Sequence, residues 1–237
     1  MHSIEAEQNR RLTPRVIDSD WLVLRRLHAA IVAQAAGVTR SGATALDFGC
    51  GAQPYASIFR SAGMTYRGAD FGAGADLAIT DDGLLLAEDD SADLVLSFQV
   101  LEHVRDLPRY FAEARRVMRD GGQLMLSTHG TWLYHPHPGD YRRWTRQGLI
   151  TDIEANGFEV TGVTPVVGPL AWTTVMRLTC FAFALRKIPL VGKPVAALLA
   201  AVMNLRALIE DAVTPGWVTT DNACVYLVMC RPQRTRP

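Results

Sequence analysis

One short run limits what this chain can fold into more than any other. Residues 45–55 read ALDFGCGAQPY: an apolar segment, two glycines one residue apart, then a proline. Thr44–Phe48 has the make-up of a short buried strand. Pro54 suits the first turn of a helix, where its missing N–H costs nothing. Glycines between the two let the backbone turn sharply and let a ligand approach the main chain. Further strand-like and helix-like segments alternate after this turn, the pattern of a mostly parallel sheet with helices on both faces.

The segments follow from periodicity and end signals. A first helix is predicted over Asp20–Ala36, with Trp21, Leu24, Leu27, Ile31 and Ala35 on one face, Asp18 or Ser19 as cap and Gly37 as stop. A second runs from Pro54 to about Ala62. Strands are expected at Thr65–Ala69, Ala75–Ile79 and Asp93–Phe98. Asp106 caps a helix over Leu107–Met118, Gly121–Gly122 end it, and Gln123–Ser127 is the next strand. Thr145 starts a helix that Asn156–Gly157 closes; Phe158–Val163 and Ala223–Cys230 complete seven strands. Residues 169–215, rich in Leu, Ala, Val and Phe as far as Leu208, read as a helical insertion before the last strand. The expectation is one Rossmann-like α/β domain over residues 1–237, with a flexible polar tail at 1–18.

Charge and cysteine content narrow the function classes. Lys plus Arg number 24, as do Asp plus Glu, so a broad nucleic-acid surface is not expected. The four cysteines show no C-x-x-C spacing and read as reduced thiols, and residues 1–15 hold no apolar run, so the expected location is cytoplasmic. The longest uncharged run in the apolar insertion, Pro194–Leu205, has 12 residues, against the ~20 a spanning helix needs.

Open parallel sheets bind ligands at the carboxyl ends of their strands. Asp70 closes the second strand 19 residues after Gly51, where an acid can accept both hydroxyls of a ribose. A dinucleotide fingerprint starting at Gly49 would need its third glycine at position 54, which is Pro54. A nicotinamide-dependent oxidoreductase is therefore the weaker alternative.

The run L46-D-F-G-C-G51 resembles the first motif of class I S-adenosylmethionine-dependent methyltransferases. D89-D-S-A-D-L-V-L-S-F-Q-V-L-E-H-V104 resembles the fourth-strand motif of the ubiquinone/menaquinone-methyltransferase-like (type 11) branch, and R109-Y-F-A-E-A-R-R-V-M-R-D-G-G-Q-L-M-L-S127 the helix, turn and strand that follow. The match spans Ala43 to about Gly162, half the chain, in the family's order. The resemblance implies S-adenosylmethionine as cofactor. It implies that the backbone of Gly49, Cys50 and Gly51 lies against the methionine part, with Asp47 near the ammonium. Asp70, with Phe71 beside it, takes the ribose; Asp81, with Asp82 next to it, meets the adenine amino group; Ser97 and Gln99 line the methionine side. Two departures stand out. Gln53 replaces the usual third glycine, and L85-L-A87 replaces the usual L-P-F.

The segment H129-G-T-W-L-Y-H-P-H-P-G-D-Y-R-R-W-T145 follows the fifth strand, where a substrate pocket belongs. His135 or His137 can act as base toward a hydroxyl acceptor, and His103 of the Glu102–His103 pair is a further candidate. A polar lid held by Asp140 with Arg142 or Arg143, and a metal site, are the other readings of the loop; no metal ligand is assigned. The expected acceptor is a small molecule, glycan or lipid-linked compound, methylated at oxygen; a non-catalytic nucleotide-binding scaffold is the alternative from another class. The insertion has three readings: an active-site lid, a homodimer face, or a membrane-surface contact through residues 169–208.

Overall fold

The computed structural model describes residues 10–71, 74–136 and 139–233. Its seven strands are β1 Thr44–Phe48, β2 Thr65–Asp70, β3 Leu77–Ala78, β4 Ala92–Phe98, β5 Met118–His129, β6 Phe158–Val166 and β7 Val225–Pro232. They form one sheet in the order β3-β2-β1-β4-β5-β7-β6. The first five run parallel; β7 is antiparallel to both β5 and β6. The expected seven-stranded, mostly parallel architecture is what forms.

Helices cover both faces. One core joins Leu22, Leu27 and Ile31 of α1 (Trp21–Val38), Phe59 of α2 (Ala56–Ser61) and Val175 of α5 (Pro169–Leu185) to Ala45 and Leu96. The opposite core joins Tyr110 and Phe111 of α3 (Leu107–Val117) and Leu149 and Ile153 of α4 (Arg146–Ala155) to Leu46, Phe48 and Val95. Strands β1 and β4 are apolar almost throughout because both of their faces are covered. The insertion comprises α5, α6 (Gly192–Val213) and a short α7 (Gly216–Asp221).

Several boundaries differ from the periodicity reading. Helix α1 passes through Gly37 to Val38, because Gly37 stays helical and the stop is made at Thr39, whose N–H bonds back to Ala35. Asp20, rather than Asp18 or Ser19, sits at its start, and the Asp20 carboxylate is taken by Arg10 instead of capping. Pro54 lies before α2 rather than within it. Strand β3 has two residues because it pairs only at the edge, with Ala69 and Asp70. Helix α3 ends at Val117, and Gly121–Gly122 fall inside the irregular start of β5, where the pairing with β4 shifts register. Strand β6 runs on to Val166 and β7 starts at Val225, the two ends paired.

Residues 10–18 of the expected tail are held to the body. Asn204 of α6 donates to the carbonyls of Val16 (2.7 Å) and Asp18 (2.8 Å).

Candidate active site

The chain direction after β1 returns to one side through β2 and β3, and to the other through β4. The strand order thus reverses between β1 and β4, the switch point outside whose carboxyl ends sheets of this kind place their ligand crevice. The glycine turn sits there. Gly49 has φ +85°, and a Cβ on it would lie 2.7 Å from a Val100 methyl, so nothing larger than hydrogen fits. The N–H groups of Gly49 and Cys50 both donate to Ala69 O, at 2.9 and 3.0 Å, which docks the turn onto the end of β2. Gln99 and Gln53, neither of them glycine, take φ of +58° and +53° at the two sides of the crevice. Such backbone is costly and clusters at ligand sites.

Four acids were expected here. Asp47 is buried; its Oδ2 accepts from Tyr66 Oη at 2.6 Å, while Oδ1 finds no partner among the described residues. Burial pushes its carboxyl up to about 6 against the lowering by the Tyr66 hydrogen bond. A buried carboxylate oxygen without a donor suits a cationic ligand group. Asp70 accepts from the Gly51 N–H at 2.7 Å through Oδ2 and from the Phe71 N–H at 2.7 Å through Oδ1. Each oxygen keeps acceptor capacity for a hydroxyl. Phe71 is exposed beside it. Asp81 is exposed on the loop after β3. Asp82 is engaged by Thr80 and by Arg109, both at 2.5 Å, with its carboxyl held below the usual range first by the Thr80 hydroxyl and then by the Arg109 guanidinium.

Two expected residues sit differently from a simple lining. The Ser97 hydroxyl is buried and donates to Phe48 O at 3.1 Å, tying β4 to β1. Gln99 turns its amide onto Ser127 Oγ at 3.2 Å. Cys50 contributes backbone: its thiol is buried against Gly68 and pushed up to about 12 by burial.

A second set of polar side chains lies where β4 and β5 end. The 3₁₀ turn Leu101–His103 swings Glu102 fully inside, where its Oε2 accepts from Thr128 Oγ1 at 2.8 Å. Its Oε1, 3.3 Å from His129 Nε2, makes no hydrogen bond among the described residues. Burial pushes the Glu102 carboxyl up to about 7. His129 is buried too, and burial holds its imidazole well below the ordinary value, hence neutral. Its ring stacks on Trp132 at 5.4 Å.

His103 and His135 complete the set, with ring centroids 5.0 Å apart. His103 Nδ1 donates to Gly139 O at 2.5 Å, and His135 Nδ1 to Leu133 O at 2.9 Å. A carbonyl only accepts, so Nδ1 is the donor in each ring and, in a neutral ring, Nε2 carries the lone pair. Burial lowers the His135 pKa, favouring the neutral base. Arg143 clasps Asp140 at 2.5 and 2.8 Å, and the His135 N–H donates to the same carboxylate at 2.9 Å. The Arg143 guanidinium therefore keeps Asp140 ionised far below the usual carboxylate range. Of the two arginines expected to hold the loop, Arg143 takes Asp140, whereas Arg142 reaches the carbonyls of Val104 and Arg105. His137 lies outside the described residues.

Glu102 and His129 fall within the quoted motifs, but the pattern gives neither a site role. An acid inside the apolar run V-L-E-H-V was the available signal for the first. One ligand atom each from Glu102, His103 and His135 fall within 4.8 Å of one another, a donor set a divalent ion could use.

Comparison with known proteins identifies the family. A methyltransferase-domain family model matches residues 22–163, well over half of the chain. The chain belongs to the class I S-adenosylmethionine-dependent methyltransferases. An uncharacterized methyltransferase of Mycobacterium ulcerans is 36% identical over 135 residues, 51% of this chain and 48% of that one. A protein of Mycolicibacterium smegmatis, named a probable S-adenosylmethionine-dependent methyltransferase, is 35% identical over 78 residues, 30% of each chain. The matched stretches thus span less than half the length of these relatives. Among solved structures, the Burkholderia thailandensis 1,6-didemethyltoxoflavin-N1-methyltransferase, crystallised with S-adenosylhomocysteine, aligns at TM-score 0.53 and 16% identity, covering 88% of this chain and 77% of its own. The [4+2]-cyclase SpnF aligns at TM-score 0.56 and 19% identity, covering 87% of this chain and 81% of its own. Those likenesses are ones of fold, and two such different names on one fold show why the reaction must be argued from the site.

Proposed function

We propose that this methyltransferase transfers the methyl group of S-adenosylmethionine to an oxygen of a small-molecule, glycan or lipid-linked acceptor. The observation that carries the reading is the buried Glu102 with His103 and His135 beside it, at the strand ends next to the glycine turn. The ubiquinone/menaquinone-like branch enters with the D89–V104 motif.

The unpartnered Oδ1 of Asp47 suits the cofactor's ammonium, and the glycine turn suits close backbone contact. Asp70 would receive the ribose hydroxyls, Phe71 and Asp81 the adenine side, and Gln99 the methionine side. When bound, the cofactor supplies an electrophilic methyl group, and the protein's part is alignment and proton handling. A hydroxyl acceptor must lose its proton as the oxygen–carbon bond forms, while the methyl's bond to sulfur breaks and S-adenosylhomocysteine would leave as the neutral thioether. Nε2 of His135 or His103 takes that proton, and Glu102, within 4.8 Å of both rings, balances the charge that develops on them. Pro54 in place of the third glycine argues against a nicotinamide dinucleotide.

A second reading has its own observation. The Glu102–His103–His135 donor set would let a divalent cation bind the acceptor oxygen and lower its pKa, in place of a histidine base.

Calorimetry with S-adenosylmethionine, S-adenosylhomocysteine and NAD tests the cofactor; binding to neither sulfur nucleotide would leave the scaffold reading. Labelled methyl transfer to a panel of hydroxyl acceptors then tests the base. His135→Ala, and likewise His137→Ala, lowers turnover more than cofactor affinity; full activity in His103→Ala, His135→Ala and His137→Ala alike would remove the histidine base. Activity lost in EDTA and restored by Mg²⁺ selects the cation reading.

A further inference from the structure

Helices α5 and α6 form an antiparallel hairpin whose two halves differ. The root is fixed to the body: Asn204 holds residues 16 and 18, Asp211 accepts from the Gly168 N–H at 3.0 Å, and Arg26 pairs with Asp211 at 2.9 Å. The distal half packs only on itself. Leu178 and Ala182 meet Ala196 and Ala200 in a small core separate from the two cores of the sheet. Small residues on the inner side of α6 bring the helices close and leave the large apolar side chains outside.

Those side chains are concentrated at the free end. Phe181, Phe183, Ile188, Leu190, Val191 and Leu198 are all exposed, Leu190 at 98%. Leu190 also has φ +62°, a backbone value that places it at the apex of the connection. Around them stand Arg186, Lys187 and Lys193, exposed and without an acidic partner among the described residues. Lys187 instead lies 4.4 Å over the Phe183 ring. No Asp or Glu occurs anywhere from residue 169 to residue 209, whereas Arg177, Arg186, Lys187, Lys193 and Arg206 do.

We infer that the hairpin tip docks on an anionic membrane surface, with the Ile188–Val191 apex in the acyl boundary and Arg186, Lys187 and Lys193 at the headgroups. Two features select this partner. Apolar side chains ringed by cations match the interface of an anionic bilayer, which supplies both an apolar layer and negative charge. A second copy of the same tip would set like charges against each other with no acid to offset them. No helix among the described residues is long and apolar enough to cross a membrane, so the contact is one of lying on the surface.

The hairpin's place in the sheet gives the contact a use. Val166, which leads into α5, pairs with Val225, and Val225 pairs in turn with His129. The root is therefore one strand away from the histidine cluster, on the ligand side of the sheet. A docked tip would hold that side toward the bilayer, where a lipid-linked acceptor resides; this consequence for the acceptor rests on the methyl transfer proposed above, whereas the docking itself does not.

Flotation of the full chain tests the docking directly, with vesicles of phosphatidylcholine alone and of phosphatidylcholine mixed with phosphatidylglycerol. The chain is expected to float with the mixed vesicles, to release as salt is raised, and to stay behind with phosphatidylcholine alone. Leu190→Glu with Val191→Glu, and separately Lys187→Glu with Lys193→Glu, should each weaken binding by about tenfold or more. Calorimetry of S-adenosylhomocysteine on the same variants reports their folding, and a parent chain that floats yet fails to bind the nucleotide would count against the proposed chemistry alone. Absence of flotation with mixed vesicles would overturn the inference. So would undiminished binding by both variants, or a solution dimer, seen by light scattering, that Leu190→Glu dissociates.

Discussion

Glu102→Gln isolates the cost of one buried carboxyl. The side chain has no exposed surface, and burial pushes it up to about 7 from an ordinary 4.5. That difference, at about 1.4 kcal/mol per pH unit, is about 3 kcal/mol. The sign follows from which state holds the proton. Between about pH 4.5 and 7 the folded chain keeps the proton and the unfolded chain sheds it, so stability is full below that window and falls as pH rises through it. Glutamine keeps an acceptor for Thr128 and has nothing to ionise. The variant should match the parent near pH 4.5 and exceed its stability by up to about 3 kcal/mol at pH 8, a Tm gain of about 6–12 °C for a chain of this size. Urea unfolding and calorimetry across this pH series, without cofactor, measure the gap. Asp47 is raised in the same direction but titrates in both proteins, so it cancels in the difference. The same variant should lose turnover by about 10²-fold, and the limb of its pH–rate profile near 7 should disappear, with S-adenosylhomocysteine affinity unchanged. A stability gap that does not change with pH would refute the buried-charge argument; a retained limb near 7 would refute a part for Glu102 in proton handling.

Three other substitutions probe separate parts of the molecule. Asp70→Ala should weaken S-adenosylhomocysteine binding by roughly 1–3 kcal/mol through lost charged hydrogen bonds, read by calorimetry; unchanged affinity would refute the ribose role. Gly49→Ala forces a Cβ to within 2.7 Å of Val100 at φ +85° and should lower stability by about 1–3 kcal/mol in urea unfolding, with a loss of nucleotide affinity as the turn shifts. Asn204→Ala removes both donors to residues 16 and 18 and should cost about 1–3 kcal/mol, with faster proteolysis near residues 10–18 as a local readout.

Much of the scaffold was legible along the chain, because local rules govern it. Asp106 caps α3 by accepting from the Arg109 N–H at 3.1 Å, and Thr145 caps α4 in the same way at Gly148. The apolar runs of β1 and β4 and the glycine turn report burial and backbone freedom directly. Asp70 was placed by its position at a strand end. The misplaced boundaries are of one kind: a residue with a strong local habit, such as Gly37, Pro54 or Gly121, obeyed its neighbours in space instead.

The sequence by itself determined the alternation of strands and helices, the bend at Gly49–Gly51 and the acid that follows β2, since each depends on residues a few positions apart. Only the tertiary structure decided that β7 lies between β5 and β6, that Glu102 meets Thr128 and the histidines at 103, 129 and 135, and that α5 and α6 leave their apolar side chains uncovered. Thr128 stands 26 positions from Glu102, and burial of a charge is fixed by what closes over it from the rest of the chain, which no local pattern encodes.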